Sequence, residues 1–313
     1  MTAPRRRSVL VTGATGFVGR HVVAALLARG CAVTVLCRDP AKVRALPWGP
    51  TGAPVDNAAG GVVNDVVKGA QIAVIPGDIA SLSPAQLDRL AAHEVVLHLA
   101  WEGLPNYKAE TQVTEVLPRH LAFLTQLVER GARRLLVTGT CLEYGLVEGA
   151  LAEDLEPRPV TAYGRAKDGL RQGLEPVCAA HGASLVWARL FYMHGPGQSE
   201  KSLLSQLDRA ITAGEKTFNM SGGEQLRDYL PVTDVADRLV RLALADAAQG
   251  VINCASGKPV SVRRLVEEHL RGRGANLALN LGHYPYPDYE PMRFWADTTK
   301  LAAALAADRD QKS

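Results

Sequence analysis

Short apolar runs alternate with longer amphipathic stretches from Val9 to Ala188. Val9–Val11, Val33–Leu36, Ile72–Ile75, Val95–Leu99, Leu135–Val137 and Leu185–Ala188 are brief, rich in β-branched residues and bounded by turn residues, the pattern of strands buried on both faces. Apolar positions recur at helical spacing over Phe17–Arg29, Thr111–Arg130 and Ala162–Ala180. This alternation predicts an α/β fold with a doubly wound parallel sheet. After Arg189, proline and glycine become frequent and the alternation is lost. The expected organisation is a main domain over 1–188, rejoined by 227–256 through the strand-like run Val251–Cys254, and a smaller lobe made of 189–226 and 257–313. The Gly- and Pro-rich stretch Pro47–Gly69 exceeds what a helix-to-strand link needs and reads as a mobile surface insertion.

The first apolar run leads into VLVTGATGFVGRHVV, with Gly13, Gly16 and Gly19. A glycine-rich turn between a strand and a helix is the setting in which this spacing signals a dinucleotide site, the mark of a Rossmann domain. Gly13 permits the tight turn. Gly16 lets the backbone approach a pyrophosphate at the helix N-terminus, and Gly19 lets the helix pack closely on the sheet. Thr15, Phe17 and Val18 share this loop and are expected cofactor contacts. In the same setting, part of the Pro47–Gly69 insertion can be read as a flap near the adenine end.

The end of the second predicted strand reads Leu36-Cys37-Arg38-Asp39-Pro40. An acidic residue here binds a ribose 2′-hydroxyl, whereas arginine pairs with a 2′-phosphate. Asp39 before proline suits a helix N-cap. Arg38 therefore favours NADP(H), the alternative being an ordinary surface charge.

A second motif, TAYGRAK, places Tyr163 and Lys167 four residues apart on one helix face. An ammonium and a nicotinamide cation nearby favour the phenolate, so the tyrosine pKa is expected to fall toward neutrality. Thr140 stands at the tip of a predicted strand, where its hydroxyl can meet the same substrate oxygen. Tyr163 and Lys167 alone are a common pairing on solvated helices. After a glycine loop, with Thr140 between, they predict redox catalysis by Thr140, Tyr163 and Lys167.

With GDI at Gly77–Ile79, HLA at His98–Ala100, HGPGQ at His194–Gln198 and RDYLPVTDVA at Arg227–Ala236, the chain resembles the extended short-chain dehydrogenase/reductases, the NAD(P)-dependent epimerase/dehydratase family. The resemblance implies a Rossmann domain, a small substrate lobe, a nucleotide-sugar substrate and a homodimer. It implies that Asp78 and Ile79 contact adenine, that Leu99 and Ala100 line the nicotinamide side, and that Arg227 and Arg293 hold a substrate diphosphate. Arg227 can equally be a structural partner of Asp228 or Asp234. Asparagines frequent in the family are missing near Thr114–Val116 and at Tyr192.

A dehydratase of this family resembles Thr-Asp-Glu at the catalytic threonine. Here Cys141 and Leu142 follow Thr140, and Glu143 is one position off. The run Gly139–Tyr144 resembles reductases that finish deoxysugars, such as CDP-abequose and CDP-paratose synthases. The expected activity is NADPH-dependent reduction of the 4-keto group of a CDP- or dTDP-4-keto-6-deoxyhexose. A nucleotide-sugar 4-epimerase is the alternative, and a non-enzymatic NADP-sensing regulator of the same fold a third, although such regulators are expected to lose the Tyr–Lys pair.

Composition narrows little further. Thirty-five basic and 32 acidic residues give a formal charge of +3, too balanced to predict a nucleic-acid or membrane partner. No apolar stretch reaches 18 residues, and the apolar run after Arg5, Arg6 and Arg7 contains the glycine loop rather than a leader. Five scattered cysteines without a C-x-x-C fit a reducing cytoplasm and give neither a disulfide framework nor a zinc site, and no metal is expected. His98 reads as a satisfied core histidine. Leu117, Leu121 and Leu124 recur at helical spacing and can serve either a dimer face or the core.

Overall fold

The computed structural model describes residues 6–48, 63–67 and 70–310. The first half alternates strongly: β1 (Ser8–Thr12), α1 (Phe17–Ala28), β2 (Ala32–Cys37), α2 (Pro40–Arg44), β3 (Val63–Val67), β4 (Ala70–Pro76), α3 (Pro84–Ala91) and β5 (Val95–His98). A π-helical turn at Gln112–Val116 leads into α4 (Leu117–Glu129), followed by β6 (Arg134–Thr140). Next come a 3-10 turn at Cys141–Tyr144, β7 (Gly149–Leu151), α5 (Ala162–Ala180) and β8 (Ser184–Leu190).

The rest is mixed. It comprises β9 (Tyr192–His194), α6 (Leu203–Thr212), β10 (Thr217–Asn219), β11 (Leu226–Pro231), α7 (Val232–Leu244), β12 (Gly250–Cys254) and β13 (Pro259–Ser261). It ends with α8 (Val262–Gly272), β14 (Ala278–Asn280), β15 (Phe294–Ala296) and α9 (Thr299–Asp310).

The central sheet runs β12-β8-β6-β5-β1-β2-β4-β3. Its neighbours pair in parallel except β3, which is antiparallel to β4. All seven apolar runs expected as strands lie in it. α1 and α7 bury Val22, Val23, Leu26, Val235, Leu239 and Val240 on one face, and α3, α4 and α5 bury Leu87, Leu90, Phe123, Leu127, Leu170 and Leu174 on the other. This is the doubly wound α/β fold that the alternation predicts. The strand order reverses between β1 and β5, where the carboxyl ends of a parallel sheet open a crevice.

Three expectations need correction. Val63–Val67 is an edge strand, so the insertion is partly structured; its residues 49–62 and 68–69 lie outside the described residues. Residues 226–231 pair with β9 and β13 in a small sheet of their own rather than in the main sheet, although Leu230 is buried in the main core. α9 belongs with the main domain, because Leu301 is buried in its core and Leu305 packs against it. The second lobe has its own core, with Leu204, Leu207, Phe218, Val266 and Leu270 buried.

The α4 leucines are used within the chain. Leu124 is fully buried. A Cβ at Gly169 would meet Leu117 at 3.1 Å and one at Gly173 would meet Leu121 at 2.9 Å, so the two glycines let α5 lie close against α4.

Candidate active site

The N-termini of α2, α3, α5 and α8 are closed by side chains: Asp39 accepts from the N–H of Ala41, Ser83 from Gln86, Thr161 from Gly164 and Ser261 from Arg264. α4, α6 and α7 lack a side-chain cap, and so does α1, which begins at Gly16. Its free N–H groups and helix dipole suit an anion. The glycines fit that task. Gly13 has φ +73°, and a Cβ there would lie 2.6 Å from the nitrogen of Ala100. At Gly19 it would lie 2.1 Å from the carbonyl oxygen of Gly13. The backbone thus occupies space that any side chain would claim.

Two adjoining clefts open along the sheet's carboxyl edge. The first is lined by Thr15, Arg38, Asp39, Lys42, Asp78, Ile79 and Ala100, among others. The second is lined by Phe17, Val18, Gly19, Thr140, Tyr163, Lys167, Tyr192 and Glu290, among others. Gly13, Gly16, Leu99 and Trp101 line both, making one continuous groove. Every residue expected to touch the cofactor borders it, and so do Thr140, Tyr163 and Lys167, the trio expected to be catalytic. The groove's length, its glycine cradle and the uncapped helix end fit a dinucleotide.

Thr140 ends β6 and caps the 3-10 turn, its hydroxyl oxygen accepting from the N–H of Leu142 at 3.3 Å. Its side chain also hydrogen-bonds toward Tyr163. Glu143 turns inward instead. Its carboxylate accepts from the N–H of Thr140 at 2.7 Å, from Trp187 at 3.0 Å and from Arg189 at 2.7 Å, with Glu143 and Arg189 both essentially inaccessible. It fixes the threonine from behind.

Tyr163 is held in the first turn of α5, its N–H donating to the carbonyl of Tyr107 at 3.0 Å. The phenol pKa is not lowered. Burial drives it well above the ordinary tyrosine value, with the nearby Tyr107, Glu143 and Cys141 adding to the rise and Thr140 opposing it. The expected fall relies on a nicotinamide cation beside the phenol; the protein's own surroundings act the other way, because burial disfavours the phenolate. Lys167 Nζ donates to the carbonyl of Thr138 at 2.8 Å. Burial lowers its pKa to about 7, against the pull of Glu143 and Glu102.

Behind Lys167 runs a chain of hydrogen bonds: Thr12 Oγ1 to His98 Nδ1 at 2.9 Å, His98 Nε2 to His120 Nδ1 at 2.7 Å, and His120 Nε2 to Glu102 at 2.8 Å. Burial pushes both imidazole pKa values down, favouring neutral rings. His120 and Arg119 hold the Glu102 pKa at about 2. Neutral rings with a terminal carboxylate fix the direction: Thr12 donates to His98, His98 to His120, and His120 to Glu102. His98 is a satisfied core histidine, as its place in an apolar strand suggests.

The two expected diphosphate ligands are each paired with an acidic side chain. Arg227 is 3% exposed and pairs with Glu290 at 3.0 Å, while Nη1 donates to the carbonyls of Leu226 at 2.9 Å and Met292 at 3.2 Å. Neither Asp228 nor Asp234 is its partner; Asp228 accepts from the backbone N–H of Ser256 and Gly257. Arg293 is largely exposed and pairs with Glu148 at 3.2 Å. Neither arginine is among the residues lining the groove.

The model of the NAD dependent epimerase/dehydratase family matches residues 9–255. The chain belongs to that family. The match begins in the strand before the glycine loop and ends one residue past β12, so it spans the whole dinucleotide-binding sheet.

Family relatives reach across the chain. It is 27% identical over 290 residues to a dTDP-6-deoxy-L-talose 4-dehydrogenase (NAD(+)) of Aggregatibacter actinomycetemcomitans, covering 92% of this chain and 98% of that one. It is 31% identical over 303 residues to a dTDP-6-deoxy-L-talose 4-dehydrogenase (NAD(P)(+)) of Kitasatospora kifunensis, covering 92% and 84%. Among solved structures it resembles MoeE5 in complex with UDP-glucuronic acid and NAD, at 28% identity and TM-score 0.72, covering 96% and 92%. A UDP-N-acetylglucosamine 4-epimerase of Methanobrevibacter ruminantium M1 shares the fold, with TM-score 0.77 at 22% identity and coverage of 96% and 92%.

Sequence reasoning missed Trp101, Tyr107, His120 and Glu290. Trp101 directly follows the HLA segment, a signal that was available. Tyr192, noted only as a departure from the family's asparagine, has a buried hydroxyl without a hydrogen-bond partner among the described residues.

Proposed function

We propose that this protein reduces the 4-keto group of a nucleotide-activated 4-keto-6-deoxyhexose with NADPH. The observation that carries the proposal is the meeting of Thr140, Tyr163 and Lys167 in one groove with the uncapped glycine loop. Burial keeps the Tyr163 phenol protonated, the form a reduction needs at its start. The relatives named for dTDP-6-deoxy-L-talose 4-dehydrogenase activity support chemistry at C4 of a dTDP-sugar, because a dehydrogenase and a ketoreductase are one reaction run in opposite directions.

When bound, the cofactor supplies hydride to the carbonyl carbon. The glycine loop and α1 hold its pyrophosphate, and Asp78 and Ile79 border the adenine end. Lys167 holds the ribose beside the nicotinamide. Thr140 donates a hydrogen bond to the substrate oxygen, and Tyr163 passes its proton to that oxygen as negative charge develops. Arg38 supports NADPH over NADH: it borders the groove at the end of β2, while the neighbouring Asp39 carboxylate is engaged by the N–H of Ala41 at 3.0 Å and so is turned to capping rather than to a ribose.

A 4-epimerase is the second reading, favoured by 27% identity over 292 residues to a UDP-glucose 4-epimerase of Azospirillum brasilense. The deciding experiment follows absorbance at 340 nm with NADPH and dTDP- or CDP-4-keto-6-deoxyhexoses. A ketoreductase oxidises one NADPH per sugar. A parallel assay offers a 4-hydroxy nucleotide sugar such as UDP-glucose: an epimerase inverts its C4 with no net absorbance change, and that inversion without turnover of the 4-keto sugars overturns the proposal.

A further inference from the structure

The Lys167 ammonium lies 4.0 Å from the centre of the Trp101 ring, inside the range of a strong cation–π contact. Lys167 is buried and its described hydrogen bond goes to the carbonyl of Thr138. A buried ammonium on a four-carbon stem has rotamer freedom and a desolvation cost to overcome. The indole face offsets part of that cost and restricts where the nitrogen sits.

Trp101 is itself fixed. Its Nε1–H donates to Gln112 Oε1 at 2.6 Å. Gln112 is 1% exposed and is held by a bond from its own Nε2 to the carbonyl of Glu102 at 3.2 Å. The indole stacks on His120, with ring centres 4.6 Å apart and planes at 27°. His120 is the middle of the chain from Thr12 to Glu102, so a buried polar scaffold backs the ring. Trp101 also meets Tyr163 edge-on, with ring centres 6.0 Å apart. The same side chain thus touches both members of the Tyr–Lys pair and lines both halves of the groove.

We propose that Trp101 is a positioning residue, whose indole face sets the Lys167 ammonium where the cofactor's ribose meets it. Its effect on the cofactor is exerted through Lys167. This inference rests on the reading of the groove as a nicotinamide-dinucleotide site.

The test is a double-mutant cycle on NADPH affinity, measured by titration calorimetry without substrate. Trp101→Leu should raise the Kd on the order of tenfold, the scale of a desolvated cation–π contact. Trp101→Phe keeps a π face and should recover most of that loss. In a Lys167→Met background, Trp101→Leu should change the Kd less than about twofold, since the contact it removes is already gone. Circular dichroism melting identifies a Leu variant that fails to fold, in which case Trp101→Met, longer but without a π face, carries the cycle. An equal loss in both backgrounds overturns the inference while leaving the groove's assignment intact. An unaltered protein that binds neither NADPH nor NADH overturns the assignment, and the inference with it.

Discussion

The Arg227 guanidinium bonds to Glu290 through both Nε and Nη2, at 3.3 and 3.0 Å, beneath a surface that leaves the arginine 3% exposed. The guanidinium also stacks over Phe294 at 4.5 Å. Removing one partner strands a buried charge. Arg227→Met should therefore lower unfolding stability by about 3–5 kcal/mol in denaturant titration, the usual cost of breaking a buried pair. A variant of unchanged stability whose KM for a nucleotide sugar alone rises would return Arg227 to the diphosphate role.

Tyr163→Phe preserves the ring that packs against Trp101 and Tyr107 but removes the transferable proton. Single-turnover reduction should slow at least ~100-fold, the usual range for a lost general acid. NADPH affinity should stay within about twofold, because the hydroxyl is assigned to the substrate oxygen. Near-normal chemistry in this variant would refute the assigned acid.

The depressed pKa of Lys167, about 7, makes cofactor binding sensitive to pH. Below 7 the side chain is already an ammonium. Above 7 it is neutral in the cofactor-free protein, and an anionic dinucleotide favours recharging it. Binding should therefore take up protons at pH 8 but scarcely at pH 6, and NADPH affinity should decline as pH rises through 7. Calorimetry in buffers of differing ionisation enthalpy measures that uptake directly. Lys167→Met should abolish it, and equal uptake at both pH values would contradict the assignment.

Arg38→Ala should weaken NADPH binding by about 1–3 kcal/mol, the scale of a charge-assisted contact. Affinity for NADH should be nearly unchanged. Wild-type protein that binds the two cofactors equally would remove Arg38 from the 2′-phosphate.

Much of this molecule is legible in order along the chain. The strands of the sheet are short apolar runs because both faces are covered. α5 spans Ala162–Ala180 as its pattern predicts, and the Asp39-Pro40 pair caps α2. What escapes sequence reading is made by contacts between distant segments. Glu290 is 63 residues from Arg227, and nothing in its neighbourhood marks it as a partner. His120 lies on an amphipathic helix where a histidine reads as surface, yet it is fully buried because His98 and Glu102 both meet it. The depth of Tyr163 is equally invisible, and it reverses the direction of the pKa shift.

With β7 paired to β15, the chain passes between the main sheet and the smaller sheets at β6 to β7, β7 to α5, β8 to β9, β11 to α7, β12 to β13 and β15 to α9. Asn253, fully buried at the end of β12, stitches three of the segments that meet there: its amide donates to the carbonyls of Leu151 and Asp297 and accepts from the Tyr144 hydroxyl. A hinge of one or two strands of chain suits a swinging jaw; here six would have to flex together around a knot of satisfied hydrogen bonds. A swinging jaw is therefore disfavoured, and Tyr107, Tyr192 and Leu104 form a fixed part of the groove's wall.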